Sequence, residues 1–144
     1  MIIALMAEPI GLASGLLTLA VFAFQSSVTL YGTVQSFQSH NKRVRDLVDE
    51  LDALSNVLQP LTEVIEKSSD ISLSLLHRPL LRCGKACQDF EQELLKCSSR
   101  SGGSRTSFRD WAKLKYMGDD IDGFRRLLTG YKLTICIALT DANL

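Results

Sequence analysis

The sequence predicts an all-α fold, an antiparallel four-helix bundle with a long and very apolar N-terminal helix. Three observations predict it. Apolar residues recur in alternating steps of three and four along most of the chain, the pattern of one buried helix face. No segment alternates with period two over a convincing length, so strands are not expected. The first 41 residues hold a single formal charge, Glu8, and all other charged residues lie at or after Lys42.

Helix one is expected over residues 9–39, roughly 45 Å at the 1.5 Å rise per residue of an α-helix. From Ile10 to Phe24 its only polar side chains are two hydroxyls. A helix apolar nearly all round is the most buried member of a bundle, or one with a second environment such as a bilayer. The polar residues Gln25 to Ser27 and Gln35 to Ser39 favour passage through protein rather than lipid. Helix two is expected over 42–67, with Val44, Leu47, Leu51, Leu54, Leu58, Leu61 and Ile65 as its seam. Pro60 lacks a backbone donor and crowds the preceding turn, so a kink is expected there. Helix three is expected over 72–98, on the stripe Leu76, Leu80, Cys83, Cys87, Phe90, Leu94 and Cys97. Pro79 suits a first helical turn, which leaves room for a separate short turn over 71–76. Ser98 to Ser104 is a glycine- and serine-rich loop. Ser107 and Asp110 then resemble a capping box ahead of helix four, expected over 107–142. Its stripe is Trp111, Leu114, Met117, Ile121, Phe124, Leu128, Tyr131, Ile135 and Ala138. The β-rich run Thr134 to Ile137 continues that stripe, and propensity is the weaker signal. Core residues are expected to include Leu16, Leu19, Val44, Leu51, Leu58, Phe90, Leu94, Trp111, Ile121, Leu128 and Tyr131.

The length of 144 residues fits one domain, 1–144, able to bury a real core. Its 16 basic and 16 acidic residues cancel. A duplex-binding domain gathers a basic excess on one face, so nucleic acid is not an expected partner. A hydrophobic share of 46% with 22% charge is that of a folded chain, not a disordered one. The absence of Lys or Arg before Lys42 removes the basic start of a signal peptide. A constitutive transmembrane span stays open, because Lys42, Arg43 and Arg45 closely follow the apolar segment. The ending Asp141-Ala-Asn-Leu144 has no glycine cap or proline stop and reads as a domain cut from a longer protein.

Chemistry is sparse. The chain has no phosphate-binding glycine loop, no nucleophile elbow and no His-Glu-x-x-His, so neither an enzyme nor a cofactor is expected. Cys83 and Cys87 share a helix face and are badly placed for a mutual disulfide, so they read as core residues of a reduced, cytosolic chain. His40 and His77 fall in different connecting regions, and no metal site is expected. Asp119, Asp120 and Asp122 point different ways on a helix and read as a solvated acidic face. The motif that remains is Gly11-x-x-x-Gly15, small residues that let helices approach closely in a bundle or a membrane. Each glycine at 11, 15 and 32 also costs a helix roughly 1 kcal/mol relative to alanine, which makes helix one easier to detach.

Met6-Ala-Glu-Pro-Ile-Gly-Leu-Ala-Ser-Gly-Leu-Leu17 resembles the opening of the fungal HeLo-like domain, the N-terminal domain of many fungal NLR-type (STAND) receptors. The blocks Leu81 to Cys87, Ser104 to Lys113 and Gly130 to Leu139 are similar to that family's as well. The resemblance covers the chain from Met6 and leaves Met1 to Leu5 outside, so Met6 is a candidate start. It implies a helical bundle related to the HeLo toxin, the necroptosis pseudokinase bundle and plant RPW8-type domains. It also implies a role in programmed cell death, heterokaryon incompatibility and innate immunity.

The implied mechanism is concealment, then exposure, of the N-terminal helix on oligomerisation, followed by membrane permeabilisation. A downstream nucleotide-binding or amyloid-forming module would drive self-association. The domain would be cytoplasmic when inactive and at the plasma membrane when activated. The membrane-inserting residues are then Ile10, Gly11, Leu12, Gly15, Leu16, Leu17, Leu19, Val21, Phe22 and Phe24. Lys42, Arg43 and Arg45 either meet anionic lipid headgroups or form a solvated helix start paired with Asp46 and Asp49. Glu8 is either a helix N-terminal acid favoured by the local dipole or one member of an acidic ring at a pore mouth. The competing class is a soluble helical adaptor or homodimerisation module without lipid activity.

Overall fold

A computed structural model describes residues 12–36, 42–67, 71–100 and 119–142, and all of them are helical. Helix α1 is Leu12–Ser36, α2 is Lys42–Lys67, a 3-10 segment covers Ile71–Leu76, α3 is His77–Arg100 and α4 is Asp119–Ala142. The protein is a four-helix bundle with an apolar first helix, as its periodicity predicts. Trp111 and the start expected for helix four lie outside the described residues.

Contacts fix the arrangement. The few residues between α1 and α2 make them an antiparallel hairpin, joined at mid-length by Ser27 and Ser55. Phe22 meets Gly84, and Thr33 meets Glu91 further along both helices, so α1 and α3 run parallel. Arg43 with Asp122 and Glu50 with Lys132 likewise make α2 and α4 parallel. Since α1 packs chiefly on α2 and α3, and α4 chiefly on α2, the order around the bundle is α1, α2, α4, α3. The chain therefore crosses the bundle end between α2 and α3. The 3-10 segment makes that crossing and seals it with Leu73 and Leu76, both buried.

Each predicted seam turns inward. Val44, Leu47, Leu51, Leu54, Leu58, Leu61 and Ile65 are the buried residues of α2. Pro60 sits on the exposed side, and α2 runs through it from Lys42 to Lys67 as one helix. Leu80, Cys83, Cys87 and Leu94 are buried in α3, and Ile121, Phe124, Leu128 and Ile135 in α4. Among the expected core residues, Leu19, Phe90 and Tyr131 are half-buried and pack against the core, while the other described ones are buried. A stacked pair joins α3 to α4, with the Phe90 and Phe124 rings 4.3 Å apart. Cys83 and Cys87 are free and buried. The thiol of Cys87 is pushed far up by its hydrogen bond with Cys83 and by burial, so it stays protonated and inert.

Candidate membrane-active helix

Helix α1 has two halves of different character. Leu16, Ala20, Ala23, Ser27, Leu30 and Val34 form its buried stripe. In the first half, Leu17, Leu19, Val21, Phe22 and Phe24 are half-buried, and no residue from Gly15 to Phe24 is exposed. In the second half, Gln25, Val28, Thr29, Gly32, Gln35 and Ser36 make an exposed outer stripe, polar apart from Val28 and the glycine. Its neighbours cover the apolar half and leave the polar half in water. Among the described residues α1 is the least exposed of the four helices, as expected of a helix apolar nearly all round. Flanked chiefly by two helices, it turns one stripe fully inward, six residues against the seven of the longer α2.

Gly15–Ser36 is long and apolar enough to cross a membrane, with a mean hydropathy of 1.4. The inner helix of a soluble bundle meets the same test, but only 33% of its most apolar window is buried. What holds α1 in place is partly polar. The Ser27 hydroxyl donates to the Phe24 carbonyl at 2.8 Å and lies 3.0 Å from the Ser55 hydroxyl of α2. The Thr33 hydroxyl donates to the Glu91 carboxylate of α3 at 2.7 Å. A net hydrogen bond in water contributes about 0.5–1.5 kcal/mol, and more to a charged acceptor. Neither partner was legible in the sequence, because Ser55 and Glu91 lie on other helices.

Of the glycine motif only Gly15 lies among the described residues. A Cβ on Gly15 would lie 3.7 Å from His77 Cε1, an ordinary contact, and one on Gly32 would meet nothing within 4 Å. Close approach is made instead at Gly84 of α3, where any Cβ would overlap the ring of Phe22. The glycine in the block Leu81 to Cys87 is thus the seat of an α1 side chain.

The basic trio is partly committed. Lys42 pairs with Asp46 at 2.9 Å, and its hydrogen bond holds the Asp46 carboxyl below the usual carboxylate range. Arg43 pairs with Asp122 of α4 at 3.2 Å, and Arg125 lies 3.7 Å from the same carboxylate. Asp122 is accordingly no solvated acid but the anchor of α4 on α2, which corrects that expectation. Arg45 is exposed. Glu8, Ile10 and Gly11 lie outside the described residues, and Leu12 is described only as the start of α1.

With this geometry the comparison with known families becomes decisive. The family model described as the N-terminal domain of pigment biosynthesis cluster protein PigL matches residues 7–144. The chain belongs to the PigL N-terminal family. This is a HeLo-like helical domain family of fungal pigment- and NLR-associated proteins, generally non-enzymatic, and the match begins one residue after the resemblance read from the sequence. No curated protein and no solved structure matches the chain.

Proposed function

We propose that this PigL N-terminal domain is a membrane-targeting cell-death execution module, not an enzyme, and the N-terminal part of a longer receptor. It is cytoplasmic when inactive. On oligomerisation, driven by a downstream nucleotide-binding or amyloid-forming module, it releases its first helix at the plasma membrane and permeabilises it. The observation that carries this reading is α1 itself, a membrane-length segment whose apolar half is covered in the bundle but built as only one stripe of its core. The competing reading, a soluble adaptor or homodimerisation module, is favoured by the buried Ser27–Ser55 pair, which suits protein better than hydrocarbon.

Dye leakage from vesicles of anionic and neutral phospholipid separates the two. The execution reading predicts leakage that rises with protein concentration. A folded domain that leaves vesicles intact at all concentrations identifies the adaptor. Within the execution reading, Glu8 forms the acidic ring, so Glu8→Ala keeps helicity and vesicle binding but lowers cation flux. Equal flux from Glu8→Ala would make the acid a helix cap and leave lipid disruption by α1 as the mechanism.

A further inference from the structure

Next to the Phe90–Phe124 stack, an open groove of about 500 Å³ lies between α3 and α4. Pro79 and Arg82 form one wall, and Arg126, Leu127, Gly130 and Tyr131 form most of the other. Two of its lining residues are arginines and none is acidic. Among the described residues neither arginine has an ion-pair partner, in contrast to Lys42 and Arg43. Arg126 folds back along α4 to Gly123, and Arg82 lies close enough to the Tyr131 hydroxyl to favour its ionised form, although burial raises that group on balance. The stripe continues past the groove in steps of three and four to Leu133 and Ile137, which are 55% and 63% exposed.

We infer that this groove binds the phosphate of an anionic phospholipid headgroup between Arg82 and Arg126, while Leu127, Leu133 and Ile137 enter the interfacial layer. Charge complementarity selects the occupant. Paired guanidinium groups match a phosphate, and the apolar continuation matches a molecule whose phosphate is attached to hydrocarbon. The groove is of ordinary ligand size. The inference rests on the membrane reading above and moves the anionic-lipid contact from Lys42 and Arg43, already paired within the bundle, to the α3–α4 face. Arg45 of the same trio becomes a minor contributor.

The test is flotation with vesicles of phosphatidylcholine alone or mixed with phosphatidylserine. Arg82→Gln with Arg126→Gln should lower affinity for the anionic vesicles about thirtyfold, on the order of fivefold per surface cation, with neutral vesicles unaffected. Gly130→Leu fills the groove, meets nothing within 4 Å at its Cβ, and should weaken binding without removing charge. Lys42→Gln with Arg45→Gln, which spares the Arg43–Asp122 pair, should lower it by less than the groove pair. Helicity of each variant is checked by circular dichroism.

Unchanged anionic binding of the groove variants, with wild-type protein still causing leakage, overturns the groove and leaves the membrane reading standing. A wild-type domain that neither floats nor leaks overturns both. Glycerol phosphate that binds in solution as tightly as vesicles would assign the groove to a soluble organic phosphate. A dimer lost in Arg82→Gln with Arg126→Gln, with no lipid dependence, would assign it to an acidic helix of a second copy. Either result overturns the lipid headgroup.

Discussion

At the scale of single residues, the contact between Phe22 and Gly84 is the most specific feature of the α1–α3 interface. Gly84 is buried in the middle of α3, where glycine costs helix stability, and the ring of Phe22 occupies the space a Cβ would need. Gly84→Ala gains at most about 1 kcal/mol of helix propensity, but overpacking costs about 1–3 kcal/mol, so a net loss is expected. Chemical denaturation measures it. Phe22→Leu costs stability alone, yet in the Gly84→Ala background it should cost less or restore it, a coupling characteristic of touching residues. Strict additivity would separate the two side chains. The sequence marked Phe22 as apolar and Gly84 only as part of a family block. Nothing in either segment says that one receives the other, because the pairing depends on α1 and α3 being parallel neighbours. Asp122 teaches the same lesson, since its partner Arg43 is adjacent only once the helices are ordered α1, α2, α4, α3.

At the scale of the element, α1 combines a buried stripe with a helix weakened by glycine. Neither Gly15 nor Gly32 is required by packing, since a methyl group at either site fits. Gly15→Ala and Gly32→Ala should each stabilise the folded domain by roughly 0.5–1 kcal/mol, because alanine restricts the unfolded chain and both sites tolerate it. If release of α1 involves its unwinding, the same double variant should slow leakage while leaving vesicle binding intact. Leakage at the parental rate from a measurably stabilised domain would show that α1 leaves the bundle as an intact helix. Helix existence was legible in the sequence because the period of α2, α3 and α4 is carried by residues such as Leu51, Cys87 and Leu128, each at a step of three or four from the next. What was less legible is how deeply α1 is buried. Its first half is apolar on every side, so periodicity cannot say which side faces the core, and only its neighbours decide. The separate short turn at Ile71–Leu76 was read from Pro79, since proline marks a first turn, but that it crosses the bundle end depends on the order of the helices.

For the whole molecule, the bundle is closed unevenly. Dense packing joins α1 to α2 and α3, and ion pairs join α2 to α4, while α3 and α4 meet mainly through one aromatic stack. In the proposed function the groove on that weak side would dock the domain and α1 on the opposite side would insert. Insertion depends on a single claim, that α1 leaves the bundle to act. A reversible lock tests it most directly. The hydroxyls of Ser27 and Ser55 lie 3.0 Å apart across α1 and α2, so Ser27→Cys with Ser55→Cys can be bridged by a disulfide. Native Cys97 and Cys136 are replaced by serine, while Cys83 and Cys87 stay buried in the core. The measurement is dye leakage from anionic vesicles before and after reduction of that bridge. The account predicts that the oxidised domain binds vesicles but does not empty them, and that reductant restores leakage to the level of the parent. Equal leakage from the oxidised and reduced forms would contradict it, because the membrane would then be breached with α1 still fastened to α2.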